Sequence, residues 1–146
     1  MTGYVVDASV AVKWLVEEAL SGKAAGLLDG DETLVAPPLL FAEAANALWA
    51  MRRRGDIVAA DLAEAVETLR AAPVSIPVSM SDLTSAATRL ASDLDHPAYD
   101  CFYLALAVHT QYPVVTADTR FHDKVRRHPY LSDRILHLAD LSAKEA

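Results

Sequence analysis

The chain has 146 residues, 53% of them hydrophobic, with 20 acidic and 13 basic side chains and a net charge of −7. This composition supplies a core for one domain over residues 1–146 and excludes a disordered chain, and the acidic balance excludes a general nucleic-acid coat or an anionic-membrane binder while leaving room for RNA met by a local basic patch. One cysteine (Cys101), no apolar run of about 18 residues and no charged-then-apolar leader lead us to expect a cytoplasmic protein without disulfide or membrane attachment.

The first element is an apolar run, Gly3-Tyr4-Val5-Val6, that stops on Asp7 and reads as a buried strand. Asp7 or Ser9 is placed to cap a helix through Val16, and Ser21 to Leu28 is a second helical piece. A turn at Gly30-Asp31-Glu32 precedes a short strand over Thr33 to Ala36. Pro37-Pro38 suits the start of a helix from Leu39 to Arg54, whose apolar positions Leu40, Ala44, Ala47, Leu48 and Met51 keep helical spacing. Glu43 falls at the edge of that apolar face. Gly55 ends the helix, and Asp56 to Ala71 forms its antiparallel companion.

Val74 to Val78 is strand-like, and Ser81 or Asp82 caps a helix to about Leu94. After a break at Asp95-His96-Pro97, Cys101 to Val108 is apolar all round and is expected to be fully buried, with Asp100 in its first turn. Tyr112 to Thr116 is a further strand ending on Ala117-Asp118. Thr119 to Arg127 is a short helix, and Arg134 to Leu138 an edge strand. Strands alternating with helices predict an α/β fold with a mostly parallel sheet.

Four carboxylates stand out: Asp7, Glu43, Asp100 and Asp118. Each has an ordinary role open to it as a helix cap, about 0.5–2 kcal/mol, or as a partner of the helix dipole. Asp7 and Asp118 follow strands at the carboxyl edge of a parallel sheet, where open α/β folds bind ligands, and Glu43 begins the helix after the second strand. Asp100 joins them only if the 79–111 helical region folds back, a reversal that Asp95-His96-Pro97 supplies. Two carboxylates roughly 6 Å apart at an effective dielectric of about 20 repel by roughly 3 kcal/mol. A converged cluster must therefore take up protons or hold a cation. All-oxygen donors suit Mg²⁺ or Mn²⁺, while one cysteine and five scattered histidines form no zinc motif. Such a site supports phosphoryl transfer by metal-activated water, with Ser9 and Thr116 able to hold a carboxylate from behind.

Val5-Val6-Asp7-Ala8-Ser9, Pro38 to Glu43, Tyr99 to Ala107 and Val115 to Phe121, in this order and spacing, resemble the PIN-domain ribonucleases, in particular the VapC-like toxins of type II toxin–antitoxin pairs. The resemblance covers essentially the whole chain. It implies a three-layer α/β/α sandwich and Mg²⁺- or Mn²⁺-dependent endonucleolytic cleavage of RNA. It places Asp7, Glu43, Asp100 and Asp118 in the acidic site, with Asp7 and Asp100 as direct ligands. It further implies a homodimer inhibited by a small antitoxin whose C-terminal segment lies along the groove.

Arg52, Arg53 and Arg54 close one helix and Lys124, Arg126 and Arg127 another, as dipole partners or as contacts for RNA phosphates. Asp123 reads as a partner for Arg127 one helical turn on. Trp14 and Trp49 are expected in the core, or as partner anchors if exposed. Three other functions compete with this reading. A receiver-like signalling module lacks here its adjacent acids and an acceptor Asp after the third strand. A dehalogenase-type phosphatase has Ser9 where its second Asp belongs. A PIN-like domain with binding but no catalysis is disfavoured by the intact four acids.

Overall fold

Strand β1 (Gly3–Val6) lies inside a four-stranded sheet with β2 (Thr33–Val35), β3 (Val114–Thr116) and β4 (Ile135–His137), in the order β2-β1-β3-β4. The structure is a computed structural model and describes residues 2–142, so positions 1 and 143–146 of the expected 1–146 domain lie outside it. All three pairings are parallel, with Val5 opposite both Val35 and Val114 and Val115 opposite Leu136. Buried on both faces, the strands read as continuous apolar runs.

Helices α1 (Ala8–Leu15) and α2 (Ser21–Leu28) carry the chain from β1 to β2. Helices α3 (Leu39–Arg54), α4 (Ala59–Ala71), α5 (Met80–Leu94) and α6 (Ala98–Thr110) lead to β3, and α7 (Thr119–Arg126) leads to β4. From β1 the chain moves to one side of the sheet, and from β3 to the other. Right-handed crossovers then put α1 and α2 on one face and α6 and α7 on the opposite one, giving an α/β/α sandwich. The place where the strand order reverses, between β1 and β3, is the crevice where such folds bind ligands.

The main core gathers Val5, Val6, Val10, Leu40, Leu104, Leu106, Val115, Phe121 and Ile135, all essentially inaccessible. A satellite core of Val12, Ala44 and Leu69 fixes α3 and α4 against α1. Gly55 ends α3 at φ +84°, a conformation that glycine adopts without strain, and its N–H donates to the Arg52 carbonyl. Asp56 does not open α4 as expected. Its carboxylate turns back to Arg54 Nε at 3.0 Å, and the helix starts at Ala59. Asp95, left-handed at φ +51°, stops α5, and Pro97 precedes α6. Joined by so short a turn and packed along each other, α5 and α6 run in opposite senses, which is the expected reversal.

Other expectations are corrected. Val74 to Val78 is not a strand: only Ser75 bridges to Val35, because Pro73 and Pro77 on either side have no N–H to donate. The cap of α5 is Ser79, whose Oγ accepts from the Asp82 amide at 3.1 Å, not Ser81 or Asp82. Helix α6 is buried from Cys101 to Ala107 except at Phe102, but its last turn emerges, with Val108 and His109 exposed. Trp14 is half-buried, its Nε1–H donating to the Ala24 carbonyl at 2.7 Å. Trp49 is outside the core, 54% exposed, with the Arg53 guanidinium 5.5 Å from its ring centroid.

Candidate active site

β1 ends at Val6, and Asp7 opens α1 in extended conformation, its carbonyl accepting from the amides of Val10 and Ala11. Its carboxylate does not cap that helix, contrary to the ordinary reading. Oδ2 accepts instead from Thr116 Oγ1 at 2.7 Å and Ser9 Oγ at 2.8 Å. Those hydroxyls in turn accept the amides of Asp118 and Ala117, at 3.0 and 2.9 Å. The carboxyl ends of β1 and β3 are thus tied through one oxygen, while Oδ1 of Asp7 receives no hydrogen bond from any described residue. Asp7 is only 4% exposed. Burial pushes its carboxyl up to about 7 against the pull of the two hydroxyls, and the charges of Asp100 and Glu43 add to the rise.

Glu43 enters the same space from the second turn of α3. Its Oε1 is buried without a hydrogen-bond partner, and so is the hydroxyl of Tyr103, one turn beyond Asp100 on α6. Burial raises the Glu43 carboxyl, the nearby Tyr103 hydroxyl opposes that rise, and Asp100 adds to it. The phenol of Tyr103 is likewise held protonated, by burial first and then by Asp7 and Glu43. Burial, then the Asp100 charge, pushes the free thiol of Cys101 up to about 11. Asp100 itself accepts from His96 at 2.6 Å.

Asp7, Glu43, Asp100 and Asp118 line one cleft of about 370 Å³, together with Ser9, Lys13 and Glu18. The structure therefore brings all four acids together at the strand-order reversal, but not in equal roles. Asp118 performs its ordinary role as well, its Oδ1 accepting from the Phe121 amide at 3.2 Å to cap α7. Lys13, missed in the sequence, is the one cation on the cleft wall among the described residues, and Glu18 Oε1 holds it at 3.1 Å. Tyr103 and His96 were missed too. His96 stands four residues before Asp100, a spacing that could have flagged it had the Pro97 break not hidden it.

The basic clusters lie apart from the cleft. Arg52, Arg53 and Arg54 occupy the last turn of α3, exposed, with Arg54 paired to Asp56. On α7, Lys124 donates to the Asp95 carbonyl and Arg126 to that of Ser132, while Arg127 is exposed. Asp123 meets its neighbour His122 at 2.9 Å rather than Arg127.

The donor set fits a hard divalent cation. It is all oxygen, it includes a buried carboxylate oxygen with no partner, and its members raise one another's affinity for positive charge. Among the described residues, however, no three His, Cys, Asp or Glu side chains are closed tightly enough to hold a metal ion as they stand.

The family model for the PIN domain matches residues 4–126, most of the chain. The chain belongs to the PIN-domain family. Membership gives it a nuclease-type, hydrolytic function, and nucleases of this family generally use divalent metals. Among solved structures the PIN fold recurs in PAE2754 from Pyrobaculum aerophilum, at 23% identity with a TM-score of 0.68, over 94% of this chain and 90% of that one. No curated protein matches the chain. Among the described residues of this PIN domain, no helix is long and apolar enough to cross a membrane.

Proposed function

We propose that this PIN domain is a Mg²⁺- or Mn²⁺-dependent endoribonuclease, and that it serves as the toxin of a toxin–antitoxin pair. The observation that carries the catalytic reading is the convergence of Asp7, Glu43 and Asp100, from three separate elements, on one cleft around a carboxylate oxygen left without a partner. Folding alone leaves this charge unsatisfied, which is the arrangement a cation site requires. When bound, a divalent ion supplies an acidified water and a counter-charge for the phosphate.

Asp7 and Asp100 serve as direct ligands and Glu43 as a third. Asp118 lends its second oxygen from the rim, while Ser9 and Thr116 fix the orientation of Asp7. The RNA backbone is met by the arginines at 52–54 and by the cationic end of α7, Lys124, Arg126 and Arg127, in contacts that hold phosphate without reading sequence. The toxin role and a homodimer rest on the resemblance of the four segments, and a cytoplasmic location on the single cysteine and the lack of an apolar run of membrane-spanning length. The antitoxin segment would follow the groove past Glu18 into a second cleft of about 620 Å³ between the end of α1 and the α3–α4 pair.

Calorimetric titration with Mn²⁺, followed by an RNA-cleavage assay, tests the reading. The wild type is expected to give a saturating heat and metal-dependent cleavage. Asp100→Asn is expected to lose the heat and at least 100-fold in rate, about 2.7 kcal/mol of transition-state stabilisation. Indistinguishable titrations would leave the acids without a metal.

A further inference from the structure

His96 sits in the turn between α5 and α6, its side chain 5% exposed. The ring stacks on Phe121 of α7 at 5.2 Å between centroids and 21° between planes. Its Nε2 lies 2.6 Å from Asp100 Oδ2, and its Nδ1 is buried without a hydrogen-bond partner. An unpartnered Nδ1 accommodates a lone pair more readily than an N–H. The ring hydrogen therefore belongs on Nε2, where it donates to the carboxylate.

Packing alone does not explain this ring. An apolar ring would fill the space against Phe121 and leave no buried nitrogen unsatisfied. What the imidazole adds is one hydrogen bond, aimed at one oxygen of Asp100. That carboxylate otherwise accepts nothing from the described residues, and it stands on the first turn of α6 with its side chain a quarter exposed. Free to rotate, it would face the cleft with either oxygen. Two further contacts brace the ring. Asp118 caps the turn of α7 that carries Phe121, and Lys124 of the same helix holds the Asp95 carbonyl beside His96.

We propose that His96 is a positioning residue: by holding Oδ2 of Asp100 it turns Oδ1 toward the cation, as outer hydrogen bonds do for ligating carboxylates. It is the counterpart of Ser9 and Thr116, which hold Oδ2 of Asp7 across the cleft. The inference rests on the metal reading of the site, and the test separates the two.

Mn²⁺ is titrated calorimetrically into the wild type, His96→Gln and His96→Phe, with circular dichroism confirming that each is folded. Phe keeps the ring against Phe121 and removes the donor, whereas Gln keeps an N–H donor near the Nε2 position and removes the ring. His96→Phe is expected to bind Mn²⁺ roughly 10- to 100-fold more weakly, with His96→Gln recovering most of the loss. Wild-type affinity in His96→Phe would overturn the inference and leave the metal site standing. Equal losses in both variants would show that the ring shape matters and the hydrogen bond does not, which also overturns it. A wild type that takes up no Mn²⁺ would overturn the metal reading and this inference with it.

Discussion

At the amino end of β1, Gly3 lies so close to its surroundings that an added Cβ would stand 2.7 Å from the Thr33 carbonyl oxygen and 2.8 Å from the Tyr112 ring. Four residues later, just past the carboxyl end of the same strand, Asp7 is also buried, but there burial sets a carboxyl among other acids and raises it to about 7. At the amino end the backbone of β1 is packed so closely that position 3 has no room for a side chain. The other end opens on a cleft lined by four acids, whose charges raise one another's affinity for a cation. The lesson is that a parallel sheet can be stabilised at one edge and loaded at the other, because its strands all point the same way.

The largest effect that would sharpen this contrast is at Asp7. Its carboxyl is raised from 3.8 to about 7 by burial, so the metal-free folded state binds a proton that the unfolded chain has released. The stability this contributes is fully present below about pH 4 and is lost as pH rises through about 7, a total of roughly 4 kcal/mol. Urea unfolding of metal-free protein should therefore show a falling midpoint between pH 5 and pH 8. Asp7→Asn should flatten that fall and be the more stable protein at pH 8, while losing Mn²⁺ binding. A wild-type midpoint that rises over this range would contradict the assignment.

At the opposite end, Gly3→Ala should cost about 1–3 kcal/mol, because the oxygen it meets is backbone and cannot swing aside. Its Mn²⁺ titration should match the wild type. An altered affinity would mean that the two ends are coupled and the contrast is false. The smallest effect concerns RNA. Replacing Arg52, Arg53 and Arg54 together by Gln should lower the slope of log affinity against log salt by about 0.7 for each phosphate that these arginines neutralise. An unchanged slope would remove them from the RNA interface.

The strands that end on Asp7 and Asp118 were legible because a short apolar run halted by a carboxylate is a strong local signal. Helix Leu39–Arg54 was legible down to its ends, fixed by Pro37-Pro38 and Gly55. The cluster of Asp7, Glu43 and Asp100 followed from topology together with the family resemblance. What escaped was set by packing between distant segments. Tyr103 looked like one more apolar residue of α6, and nothing local singled out Lys13, until α1, α3 and α6 were brought to one cleft. Trp49 could have been placed from spacing alone, since it lies on the side of α3 away from Leu40, Ala44 and Leu48. The strand expected at Val74 to Val78 failed because the missing donors of Pro73 and Pro77 outweigh the β-propensity of the residues between them.

That lone bridge has a consequence for how the protein behaves in a crowded solution. β2 is an outer strand, and Ser75 takes up two groups at its end, the Leu34 carbonyl and the Ala36 amide, at 2.9 and 3.0 Å. Because a proline follows two residues later, the pairing cannot be extended into a fifth strand, nor easily copied by a strand from another molecule. Ser75 acts as a stopper at the β2 edge, taking up groups that a strand from another molecule would otherwise use.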